Sequence, residues 1–130
     1  MANPNIVNVS DIRGESVGWN LTATTTTTLM TVSADKLIKI NRITVANVDG
    51  TNAADLTLSI TKANFTPDGI SNFDTSGTFH LAKTVSVPAD ATLVILDTPI
   101  YLMEGDVLKG GAGAASDLEL FVSYESIDDA

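Results

Sequence analysis

Strict alternation of apolar and polar residues constrains this chain more than any other feature. In Leu56-Thr57-Leu58-Ser59-Ile60-Thr61 every second residue is apolar. A period of two places those side chains on one face of a strand and leaves the other face to water. Leu118, Leu120, Val122 and Tyr124 repeat the pattern against Asp117, Glu119, Ser123 and Glu125. Phe121 falls on the polar side of that strand, so it is either covered by a loop or offered to a partner. Phe79, Leu81, Val85 and Val87 share one phase, with His80 among the polar residues opposite. Lys83 interrupts it, which predicts a bulge or a sheet edge there.

Two runs depart from alternation. In residues 37–48, Ile38 and Ile40 are out of phase with Ile43 and Val45. A bulge near Asn41-Arg42, or a strand passing between two sheets, reconciles them. Leu93-Val94-Ile95-Leu96 has no alternation and reads as a strand buried on both faces. Turn signals separate the runs at Asp49-Gly50, Pro67-Asp68-Gly69, Pro88-Ala89-Asp90 and Glu104-Gly105-Asp106. Gly110-Gly111-Ala112-Gly113-Ala114-Ala115 reads as a loop or an awkward turn. Thr24–Thr28 reads as a polar strand or the loop beside it; a lattice of hydroxyls would need an internal repeat, and the chain has none. No run sustains a helical period. The expected fold is all-β, an antiparallel sandwich or jelly roll of about eight short strands in one domain over residues 1–130. Residues 1–10, apolar at Ile6, Val7 and Val9, form either an N-terminal arm that adds to a neighbour's sheet or the first strand of the domain's own sandwich.

Composition narrows the function classes. Hydrophobic residues make up 44% of the chain, enough for a core, but aromatics only 5%, so Val, Ile, Leu and Ala must fill it. The net charge of −9, with no cluster of Lys or Arg, opposes binding to phosphate backbones or anionic membranes. The absence of cysteine excludes disulfides, thiolate metal sites and Cys nucleophiles. No apolar run approaches bilayer length, and Met1–Asn5 has neither a basic n-region nor an apolar h-region, so synthesis in a cytoplasm is expected. The sequons at Asn8, Asn20 and Asn64 are then incidental.

Candidate chemistry is sparse. His80 is the one histidine, and its strand phase makes it a solvated side chain rather than a general base. Glu104 and Asp106 flank a glycine, with Asp97 nearby, but turn chemistry accounts for both. Asp49–Asp55 offers oxygen ligands without the dense acids of a calcium loop. The glycines at 110–113 lack the Lys-Ser/Thr of a phosphate loop. No catalytic, metal or cofactor residue is assigned. Trp19 is the one candidate for a sugar platform, though a core or interface anchor suits it better.

The segments NPNIVNV (3–9), ANVDGTNAAD (46–55), HLAKTVSVPADATLVI (80–95), PIYLMEGDVL (99–108) and VSYESI (122–127) resemble small virion structural proteins of tailed bacteriophages, especially those of marine cyanobacteria and other marine bacteria. The resemblance covers most of the chain in order and departs in residues 10–34 and 64–78. It implies a non-enzymatic structural role in a virion, with capsid decoration, or cement, as the leading form. It also implies binding to the major capsid protein or other virion proteins, and a homo-oligomer, with a trimer suspected. The candidate contact residues are Ile6, Val7, Val9, Trp19 and Phe121. A tail, neck or fibre component and a host-glycan-binding module are the alternatives.

Overall fold

The period-two pattern builds strands throughout the computed structural model, which describes residues 9–63, 69–74 and 76–128. Nine strands occur among them: β1 (Asp11–Asn20), β2 (Thr27–Thr31), β3 (Lys36–Asn47), β4 (Ala54–Lys62), β5 (Gly77–Val87), β6 (Thr92–Leu96), β7 (Ile100–Leu102), β8 (Val107–Ala112) and β9 (Leu118–Asp128). They form two antiparallel sheets. The first has the order β1-β9-β3-β6, with β7 also on β3, and the second the order β2-β8-β4-β5. The expected all-β sandwich is thus observed, with one strand more than the turn signals suggested. The extra strand arises because β6 and β7 occupy successive stretches of one edge of β3, at Ile43–Ala46 and Ile38–Ile40. Asp97-Thr98-Pro99 lies between them, and proline has no N–H to continue the ladder.

The core lies between the sheets. Ile40, Ile43, Leu56, Leu58, Leu108 and Leu120 are at most 1% exposed, and each contributes about 1.5–3 kcal/mol through burial. The phase slip in β3 is a bulge: Ile40 pairs with Tyr124 and Arg42 with Ser123, so Asn41 is the extra residue. Ile38, Ile40, Ile43 and Val45 are then all buried. β3 stays in one sheet throughout.

Lys83 marks what it was expected to mark. β5 is an edge strand, and its register against β4 slips twice, around Leu81 and around Lys83-Thr84. The slips bring small Ala82 opposite Leu58 and leave Lys83 exposed. Thr84 sits at φ 49°, a conformation costly for a β-branched residue.

Two expectations are corrected. Leu93–Leu96 is not buried on both faces. β6 is an edge strand with Val94 47% exposed. Its missing alternation is another bulge: Leu96 pairs with Ile43 and Val94 with Thr44, so Ile95 is extra and Leu93 and Leu96 both lie on the core side. Nor is the glycine stretch a loop throughout, since only residues 113–115 lie beyond the strand. Gly110, Gly111 and Ala112 are buried in β8. A Cβ on Gly110 would stand 2.8 Å from Leu29 Cδ1, and one on Gly111 would stand 2.7 Å from the Thr25 carbonyl oxygen. These glycines permit close packing rather than flexibility. The threonine run supplies that neighbour: Thr24–Thr26 pass over β8 before Thr27 and Thr28 enter β2.

Candidate functional site

The outer face of the first sheet carries the feature that its own core does not explain. In β9 the residues at 118, 120 and 122 are buried against the second sheet, so Glu119, Phe121, Ser123 and Glu125 point outward. Register places Gly18 of β1 and Thr44 of β3 on either side of Phe121, and Val94 of β6 beyond Thr44. Phe121 is 52% exposed in the interior of the sheet. Gly18 allows its ring to lie toward β1, since a Cβ there would meet Phe121 Cδ1 at 3.2 Å. Beside the ring is a hollow of about 420 Å³, lined by Gly18, Trp19, Asn20, Thr44, Ala46, Glu119, Leu120 and Phe121. In the next outward row on one side lies Glu119, and on the other side Arg42, opposite Ser123. Both are exposed, and neither forms an ion pair among the described residues. Tyr101, on β7, is also exposed, at 50%.

The predicted contact residues are placed differently from one another. Ile6 and Val7 lie outside the described residues. Val9 is half-buried ahead of β1, where Ser10 N donates to Asp128 O at 2.8 Å. Trp19 pairs with Leu120, on the core side of β1, and is half-buried against the hydrophobic cluster. It borders the hollow and is less exposed than Phe121. Phe121 alone of the five is an exposed aromatic.

The carboxylates that the sequence singles out are occupied by structure. Asp106 is fully buried. It accepts hydrogen bonds from Lys62 Nζ, Ala63 N (2.9 Å) and Met103 N (2.8 Å), tying the β7–β8 turn to the end of β4. Glu104 accepts from Asp35 N at 2.8 Å, where Asp35 takes φ 62°. Asp49 accepts from Thr51 N and from Asn52 Nδ2 within its own turn. The Thr51 N–H holds this carboxyl below the ordinary 3.8. Asp97 is exposed and near Thr98 Oγ1. His80 is exposed on edge strand β5 opposite Ser59. Among the described residues no group of three or more His, Cys, Asp or Glu could hold a metal.

Several structural residues gave no local signal. Asn47 is buried, donates to Asn52 O and Val87 O, and accepts from Asp49 N, so its amide is satisfied from three directions. Burial lifts the Tyr124 phenol above the ordinary 10.0, with Glu15 across the β1–β9 ladder adding to it. A second hollow of about 390 Å³ lies over β4, β5 and β8, lined by Thr24–Thr26, Asp55, Thr57, Thr84 and Gly111–Gly113. It is hydroxyl-rich, and Thr57 Oγ1 accepts from Thr84 N at 3.2 Å.

No family model matches the chain, and no curated protein matches it. Among solved structures it is similar to a pentameric capsid protein isolated from metagenomic phage sequences, at 18% identity and a TM-score of 0.31. That match covers 96% of this chain and 65% of the other. It is also similar to the infectious bursal disease virus VP2 subviral particle, at 14% identity and a TM-score of 0.37. There it covers 92% of this chain and 32% of the other. The chain thus spans less than two thirds of the length of each.

Proposed function

We propose that the chain is a non-enzymatic structural protein of a phage virion, and specifically a decoration protein that binds and stabilises the assembled shell. The observation that carries this reading is Phe121: a large apolar ring held half in water in the interior of a sheet, beside a hollow to which Gly18, Thr44 and Ala46 contribute. With Val94 exposed beyond Thr44 on the same face, the ring is part of an apolar patch of the kind that a partner surface covers. The run of residues resembling phage virion proteins supports the identity of that surface as a virion protein, a second copy of this chain among them, with the major capsid protein bound by the assembled oligomer. Decoration works by mass action, since whatever binds the closed shell better than its separated parts stabilises the shell. On this reading Val9, Trp19 and Phe121 take part in contacts, Ile6 and Val7 belong to an arm reaching a neighbour, and the protein works as a homo-oligomer on the capsid surface.

The test is co-sedimentation of purified protein with shells from which it is missing. Saturable binding that Phe121→Gln weakens, with thermal resistance restored to the shells, is the expected result. Binding to purified tails and not to shells would move the protein to the tail. Saturable binding to a host glycan, lost in Trp19→Ala, would favour the glycan-binding module.

A further inference from the structure

We infer that the outer face of the first sheet pairs with the same face of a second copy of this chain, through a two-fold contact centred beside Phe121. The inference stands apart from the virion reading and rests on the shape and charge of the face itself. Phe121 is a knob, 52% exposed, and the hollow beside it is floored by Gly18, Thr44 and Ala46. A knob and its hole adjacent on one face are self-complementary: a two-fold axis lying in that face and crossing the strands turns each ring toward the other copy's hollow. Such a contact is isologous and closes at two copies, whereas rings and trimers need knob and hole on different surfaces.

Charge agrees with the same axis. Glu119 and Arg42 lie in the outward rows on opposite sides of the Phe121 row. They are roughly 13 Å apart along the strands, too far to pair within one chain. The two-fold reverses strand direction and carries Arg42 of one copy toward the end of the other face that holds Glu119. Each copy has a net charge of −9, so approach is opposed at long range and the contact depends on this local match. Area sets the strength. Four strands from the Gly14 row to the Asn20 row, short of the row where Leu37 and Ile127 are already buried, give a face of roughly 20 by 19 Å. A pair then buries on the order of 800 Å² in total, in the range of weak contacts. A reversible, concentration-dependent dimer follows, rather than an obligate one.

Sedimentation equilibrium of the full chain at about 0.15 M salt tests this. The wild type should show a monomer–dimer equilibrium. Phe121→Gln should weaken it at least about thirtyfold, as for an interface hot spot, and Ala46→Gln, which fills the hollow, should weaken it as well. Arg42→Glu should weaken pairing, and adding Glu119→Arg to it should restore pairing. All these positions are at least partly exposed, and circular dichroism melts confirm that each variant is folded. A monomer at every concentration, a trimer or larger closed ring, or a dimer indifferent to Phe121 and to the charge exchange would overturn the inference. Binding of Phe121 to a shell protein without self-association would also overturn it and assign the face to the shell.

Discussion

Asp106 accepts three hydrogen bonds with no surface in water, and that single side chain joins the β7–β8 turn to the end of β4. Removing it leaves the Ala63 and Met103 amides unpaired and Lys62 without its counter-charge. Asp106→Ala should therefore lower unfolding free energy by about 3–5 kcal/mol; urea titration measures this, and a loss below about 1 kcal/mol would mean that water replaces the carboxylate. The tight turn was legible in Glu104-Gly105-Asp106, but the burial was not. Nothing local distinguishes an aspartate exposed in a turn from one whose partner, Lys62, is brought in by the fold. Two further groups set pH dependence with known signs. Asp49 is held below 3.8, so its contribution is present above 3.8 and lost as pH falls through the lower folded value. Tyr124 is raised above 10.0, so its contribution is present below 10.0 and lost as pH rises through the raised value. Thermal melts across pH should show Tyr124→Phe flattening the alkaline fall and Asp49→Asn flattening the acid fall. Unchanged limbs would assign them to other groups.

At the scale of elements, phase slips were readable and their meaning was partly misread. Ile40 to Ile43 in β3 gave the bulge at Asn41 because strong alternation on both sides fixed two incompatible phases. Leu93–Leu96 holds the same information, but four apolar residues in a row conceal which one is extra. Lys83 revealed the edge because a charge cannot fill a core slot, and Ala82 fills it instead. Gly110 and Gly111 misled for a different reason. Glycine marks both flexible loops and crowded packing, and only the passage of Thr25 over β8 selects the second. The two uses separate experimentally. Gly111→Ala forces the Thr25 backbone to move and should cost about 1–3 kcal/mol. Gly113→Ala meets Asp55 at an ordinary 3.4 Å and should be close to neutral. Equal costs in denaturant titration would contradict the packing account.

For the whole molecule, alternation and turns sufficed for a two-sheet sandwich, because each strand has one face that must leave water. The proposed contact face was legible only as one out-of-phase residue, Phe121. Its companions come from three other strands, with Gly18 on β1, Thr44 on β3 and Val94 on β6, and register alone assembles them. The central claim is that this face and the domain behind it serve assembly on a virion. Cryo-electron microscopy of the particle that contains the chain tests it most directly. The account predicts density for a small two-sheet domain at symmetry-related capsomer junctions, with the Phe121 face covered. Density along the tail or portal axis would contradict the decoration role, and absence of the chain from the particle would contradict the virion assignment altogether.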